Sequence, residues 1–573
     1  MTTVKGKECK FVVHVPSYHP DVADVHLIKE VTHYQDGTLI PSIRLVKDYK
    51  RPFWITKNTF RNHKQKKEYE HLDKLNKYEC TESQLKNQIA KAVEKGWSKE
   101  QLKELLASPY VYGADTSSSS FILHNYKEKY PDCQSGHNVG FLDIETDMLL
   151  GHKKTVLITV LTKGKCLTVV TDEFTEGLAD VEGMYEHCKK KYIQSYIEKH
   201  NLECRLVRAK NNIEAFKIAF AELHLTKPDI VAIWNINYDI PKIIGEIEDA
   251  GHDPAEILCD PSIPKEYRLC KYKMGKTKRI TASGKVQPIN IAAQWHTLYL
   301  TASFYVIDAM CVYKLLRLAK QEQPHYSLDW ILNVELGLRK LNFKEAEGYE
   351  KEKWHQFMQK FYKIEYAIYN MFDCISMMEL DSKTKDLTYA FPSSCTTTEF
   401  SRFNSQPKKI ADAFFYFALK NKSHVLATVG YSNQIVKTED IEEDIVLDDD
   451  EEDITGEDDG VDRALSLAGW ILTLPSYMSV YGSKLIAEDD TIHTSIRTFV
   501  YDSDSSAAYP SATSVCNVSK ATTYREIISI NGINEETFRL QNLNAVLGQA
   551  NAMEYCTTMF KMPEPNQLLN LID

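Results

Sequence analysis

Val139-Gly140-Phe141-Leu142-Asp143-Ile144-Glu145-Thr146 is the stretch whose reading decides the fold. It reads as a strand, and Asp143 and Glu145, two residues apart, then point to one face near its carboxyl end. Outward from it, Thr155 to Leu161 and Cys166 to Thr171 are two further strand-like runs, rich in Val, Ile, Leu and Thr. A long helical stretch follows, then a buried strand-like run at Asp229 to Asn235, and the chain turns helical at Pro241 to Ala250. Three strands, a helix, a further strand and more helices predict a mixed sheet covered by helices.

That order fits the RNase H-like class. Two carboxylates crowded on one strand face need a cation, and oxygen ligands suit Mg²⁺ or Mn²⁺. Two later segments add to them: Trp234-Asn235-Ile236-Asn237-Tyr238-Asp239, and Tyr369-Asn370-Met371-Phe372-Asp373. Residues 357–382 read as one long helix by their apolar spacing, so Tyr369 and Asp373, four apart, share a face. Asp143, Glu145, Asp239 and Asp373 together predict a site for two ions, with Tyr369 orienting the attacking water. This is the apparatus of a metal-dependent 3′–5′ exonuclease. Neither D-x-E nor Y-x-x-x-D is specific alone, and a lone Asp at a strand end is commonly a cap or turn residue. The order of the three segments, each on a fitting element, is the signal.

A chain of 573 residues is too long for one core and predicts three to four domains. The net charge of −11 argues at first against a nucleic-acid partner. Glu439 to Asp459, however, holds 14 acidic residues and no Lys or Arg, and removing those 14 charges from −11 leaves +3. Basic clusters remain at Lys64, Lys66 and Lys67, at Lys189 to Lys191, and at Lys271, Lys273, Lys276, Lys278 and Arg279. Each also reads as a solvated face, but such local fields can hold a phosphate backbone. The acidic run predicts a solvated, low-complexity loop, with DNA mimicry or a basic partner subunit as alternatives. No apolar run reaches the roughly 18 residues of a membrane span. The start lacks a signal-peptide core. Thirteen cysteines without a C-x-x-C pair predict a reducing cytoplasm, that of a bacterial host if the chain is viral.

The three carboxylate segments resemble the exonuclease motifs of family B DNA polymerases. Around them, His325-Tyr326-Ser327-Leu328-Asp329-Trp330, Asp308 to Lys314 and Arg51-Pro52-Phe53-Trp54-Ile55-Thr56 are similar to stretches of the T-even-type phage replicative enzymes. The resemblance implies an amino-terminal α+β domain (1–130, completed by part of 374–430), an exonuclease domain (131–380), and a connector with partial palm (381–573) carrying the acidic insert 439–459. It also implies a β-hairpin near 268–294 that moves a primer end between sites, with Lys271, Lys273, Lys276, Lys278 and Arg279 meeting backbone phosphates. Primer–template and single-stranded DNA are the implied partners.

Tyr501 to Ser511 resembles the first polymerase motif. The resemblance makes Asp504 a palm metal ligand and places Tyr509 under the incoming sugar. Ala507 and Ala508 stand where Ser and Leu are usual. The Lys-bearing fingers pattern and the later D-T-D turn of the family do not occur in the 69 residues after Asp504. Use of deoxynucleoside triphosphates is therefore expected to need a second polypeptide carrying fingers, the rest of the palm and thumb, with any sliding clamp reached through it. The chain is expected to be one half of a split polymerase or a piece of a longer one. A non-catalytic scaffold subunit and a free-standing repair or RNA-directed nuclease are the competing readings.

Overall fold

Val139–Thr146 lies inside a six-stranded mixed sheet in this computed structural model, which describes residues 3–15, 23–63, 67–93, 102–280, 286–317, 322–390 and 406–428. These residues fall within one compact unit spanning 1–457. The strand order across the sheet is Glu203–Ala209, Lys165–Thr171, Thr155–Thr162, Val139–Thr146, Ile230–Ile233, Tyr305–Asp308. Thr155–Thr162 runs antiparallel to both of its neighbours. Ile230–Ile233 runs parallel to the strands on either side of it.

Both faces of the sheet are covered, which is why Thr155–Thr162 is buried at every position instead of alternating. Leu142 and Ile144 share one core with Phe216, Ala219 and Phe220 of the helix Asn212–Thr226. Phe141, on the opposite face, shares a second core with Ile368, Phe372 and Ile375 of the helix Lys363–Thr384. Asp143 and Glu145 follow Phe141 at period two, so they rise toward that same long helix.

The strands read from the sequence at 155–161 and 166–171 are present with one-residue differences. The long helix expected over 357–382 is instead two, Glu352–Phe361 and Lys363–Thr384. Tyr362 breaks them, with φ −133° and ψ 51°. The helix expected from Pro241 begins at Ile236. Pro241 stands inside it, beyond the first turn, and so removes one N–H from the helix's own hydrogen-bond ladder.

The amino-terminal residues form two antiparallel three-stranded sheets. The first comprises Val4–Val15, Val25–Tyr34 and Leu39–Lys47, and the second Arg51–Thr56, Leu75–Cys80 and Val111–Tyr112. Residues 406–428 return to this region. Phe415 packs with Trp54 and Phe121, and His424–Leu426 pairs with Tyr69–His71. Lys29 joins the first sheet to the central one. Its buried ammonium donates to the carbonyls of Lys227, Pro228 and Ser303 and lies 3.6 Å from Asp229. Among the described residues no helix is long and apolar enough to cross a membrane. The acidic run 439–459, Asp504 and Tyr509 lie outside the described residues.

Candidate metal centre

Asp143, Glu145 and Asp373 each place one carboxylate oxygen within 4.8 Å of the others. The strand supplies the first two and the long helix the third, crossing the strand's carboxyl end. Three hard oxygen donors in one spot are a ligand set for a divalent cation. One atom adds independent weight: Asp373 Oδ1 is buried with no hydrogen-bond partner. Such an orphan is costly without a ligand, and the residues therefore fit a metal ion.

Each carboxylate is held by its own donor. Asn370 Nδ2 donates to Asp143 Oδ2 at 2.7 Å. The Tyr366 hydroxyl donates to Glu145 Oε2. It lies 2.8 Å from His355 Nδ1, an arrangement satisfied by the tautomer with the proton on Nδ1. Lys340 Nζ donates to Asp373 Oδ2 at 2.6 Å and to the Tyr369 hydroxyl at 3.2 Å. Gln359, on the helix Glu352–Phe361, bridges the strand end. It donates to the carbonyl of Thr146 and accepts from the N–H of Met148, both at 2.8 Å.

Asp239 stands beside this group and is not one of the three. Its Oδ1 accepts from the backbone N–H of Ile144 at 3.3 Å, which ties the helix Ile236–Asp249 to the strand between the two acidic residues. Asp308 steadies that helix from the other side, accepting from the N–H of Ile236 at 3.0 Å. The turn into the helix passes through Asn235 at φ 106°, left-handed backbone that Asn tolerates better than most residues.

The electrostatics are those of crowded, desolvated acids. Burial first, then the charges of Asp373, Asp239 and Glu145, push Asp143 well above the carboxylate range, against the pull of Lys340. Burial and then Asp373 raise Glu145 to about 7 despite the Tyr366 hydrogen bond. Asp239 is pushed up to about 8, by burial and then Glu145. Burial raises Asp373 as well, outweighing Lys340. His355 falls to about 4, through burial and then Lys340, and stands neutral. A bound cation would reverse the carboxylate shifts, because it favours the charged forms.

The expected hairpin is a two-tier arm. Cys270–Lys273 pairs antiparallel with Thr297–Leu300, and beyond it Lys278–Ile280 pairs with Val286–Pro288. Its base therefore reaches Leu300, past the expected end at 294. Lys271, Lys273, Lys276 and Lys278 are all exposed, and the side chain of Arg279 lies outside the described residues. Tyr272 points the other way, its hydroxyl donating to Asn237 Oδ1 at 2.7 Å on the Asp239 helix. Gly275 lets the two chains of the arm approach closely. A Cβ there would fall 1.5 Å from the carbonyl oxygen of Gln294.

Lys340, Tyr366, Asn370, His355 and Gln359 are site residues that the sequence reading missed. Tyr366 and Asn370 carried a usable signal, standing seven and three residues before Asp373 on its own helical face. His355 and Gln359 form an i, i+4 pair on the preceding helix, but the chain break at Tyr362 hid their direction. Lys340 sits in irregular chain and gave no local sign.

No protein-family model matches the chain, and no curated protein matches it.

Proposed function

We propose that this chain is a phage-type replicative DNA polymerase subunit of family B character whose described residues carry a 3′–5′ proofreading exonuclease. The single observation that carries the nuclease part is the meeting of Asp143, Glu145 and Asp373 within 4.8 Å, from a strand and a helix more than 200 residues apart in sequence. The strand order also supports an RNase H-like reading: three sequential antiparallel strands with a later parallel strand inserted beside the first. Asp143, Glu145 and Asp373 would hold the divalent ions, with Asp239 at the margin. When bound, two such ions supply positive charge at the attacking water and at the leaving 3′-oxygen.

The chain's own residues do the positioning. Tyr366 and Asn370 fix the rotamers of Glu145 and Asp143. Because the Tyr369 hydroxyl accepts from Lys340, its own proton is left to orient a water. Lys340 keeps positive charge beside Asp373 and Tyr369, where negative charge builds up on a phosphate under attack. The polymerase part of the proposal rests on the resemblance around Asp504 and Tyr509, and extension would need fingers and a second palm carboxylate, which these 573 residues do not display.

The test uses this chain with Mg²⁺, a 5′-labelled primer–template and all four deoxynucleoside triphosphates. The expected result is shortening without extension, lost in Asp143→Ala/Glu145→Ala. Unchanged hydrolysis in that double variant would sink the site assignment, and extension would mean that these residues already carry a working palm. One observation favours a second reading, a non-catalytic scaffold subunit: Lys340 already neutralises Asp373, as a retired metal site would require. A Mn²⁺-dependent rise in melting temperature separates the two, since a retired site gives none.

A further inference from the structure

The segment His325 to Trp330 lies outside the carboxylate cluster, yet one of its residues reaches the cluster in a single step. Asp329 stands in the first turn of the helix Leu328–Leu336, which Ser327 caps by accepting from the N–H of Trp330. Its Oδ1 accepts from the backbone N–H of Lys340 at 2.9 Å. Its Oδ2 accepts from Arg339 Nη1 at 2.6 Å. One carboxylate thus grips two successive residues of a segment that belongs to no helix or strand. Lys340 leaves that gripped backbone to reach Asp373 and Tyr369.

We propose that Asp329 is a positioning residue that aims the Lys340 ammonium between Asp373 and Tyr369 by clamping the backbone at Lys340 and the guanidinium of Arg339. A long flexible lysine reaches one point reproducibly only when its own backbone is fixed. In chain without a ladder, that fixing must come from a side chain. A carboxylate suits the task because its two oxygens accept from both partners at once. An acidic residue in a first helical turn is favourable on its own account, so the test must separate this from the link to Lys340.

The activity readout rests on the nuclease reading above. Hydrolysis of a 5′-labelled single-stranded oligonucleotide with Mg²⁺ is measured for wild type, Asp329→Ala, Asp329→Asn, Lys340→Met and Asp329→Ala/Lys340→Met. Asp329→Ala is expected to lower kcat about 10- to 100-fold with KM little changed, the usual cost of losing an outer support of a metal site. Asp329→Asn keeps an oxygen for the Lys340 N–H and is expected to lose only about threefold. In the Lys340→Met background, Asp329→Ala is expected to add nothing, because both changes remove one interaction. Wild-type kcat in Asp329→Ala, or the same fold-loss in both backgrounds, overturns the proposal. Should Asp329→Ala fail to fold, the same cycle is run with Asp329→Asn, and additivity there overturns it equally.

Absence of hydrolysis by the wild-type chain refutes the nuclease reading instead. Mn²⁺ affinity by calorimetry on the same proteins then decides the link alone. Lys340→Met removes a cation that competes for Asp373 and is expected to tighten Mn²⁺ binding. Asp329→Ala is expected to do the same without adding to it, and an unchanged affinity in Asp329→Ala overturns the proposal.

Discussion

Measured against a variant without the Asp143 and Glu145 carboxylates, the metal-free protein is expected to lose stability as pH rises from about 4.5 to 7, and a divalent cation is expected to restore it. The reasoning starts from Glu145, whose carboxyl stands at about 7 in the fold against an ordinary value of 4.5. An acid with a raised folded pKa binds its proton more tightly when folded. Its contribution to stability is therefore full below the unfolded pKa and is lost as pH climbs through the folded one. At about 1.4 kcal/mol per tenfold change in proton affinity, the loss at Glu145 is on the order of 3 kcal/mol. Asp143, Asp373 and Asp239, the last pushed up to about 8, are raised by burial and act in the same direction, though the repulsion they share counts once. His355, held down to about 4, acts in the opposite direction and is removed by comparison with the variant. For a unit this large, that is roughly 3–6 °C of melting temperature. The assay is thermal unfolding at pH 5, 6, 7 and 8, in chelator and in Mg²⁺, for wild type and for Asp143→Asn/Glu145→Gln. Subtracting the variant removes the background titration of the rest of the chain. Mg²⁺ at a hundredfold over its Kd returns about 2.7 kcal/mol, enough to flatten most of the fall. Parallel profiles for wild type and variant in chelator would refute the reasoning, because the acids would then carry no mutual strain.

Three further outcomes are expected. Tyr366→Phe removes the donor on Glu145 and is expected to weaken Mn²⁺ binding about tenfold, read by calorimetry; wild-type affinity would mean that the strand alone sets Glu145. Gln359→Leu frees the Thr146 carbonyl and the Met148 N–H and is expected to cost about 1–3 kcal/mol, with activity falling alongside. An unshifted unfolding midpoint would show that water replaces both bonds. Lys271→Gln/Lys273→Gln, on the exposed face of the arm, is expected to make the log-affinity of DNA against log-salt shallower by about 1.4–1.8, read by anisotropy. An unchanged slope would place the phosphates elsewhere.

The sheet and its acidic strand were readable because period two is a strong local signal, and Phe141, Asp143 and Glu145 lie on one side of it. Tyr369 and Asp373 were readable for the same reason at helical spacing. What failed was wherever the deciding contact is distant or the backbone irregular. The break at Tyr362 left no Pro or Gly behind it, so apolar spacing ran straight through. The arm was expected to close at Gln294, but its inner ladder ends on Thr297–Leu300, because strands of three or four residues carry too little pattern to fix a register.

The lysine between Asp373 and Tyr369 shows the deepest limit. Its partners stand 33 and 29 residues away, and it lies in chain that follows no period. Sequence patterning locates acids that must share a face, because spacing along one element determines that. It does not locate the cation that answers them, because a long side chain can arrive from any segment the fold brings within reach. Asp143 and Glu145 were therefore legible and Lys340 was not, although all three act on one small volume. The balance of charge at this centre is set by tertiary contacts: Lys340 occupies one oxygen of Asp373, and the other oxygen remains buried and without a partner. That division leaves Asp373 able to answer an ammonium and a divalent ion at once. On the proposed reading, the same carboxylate would be both neutralised and a ligand.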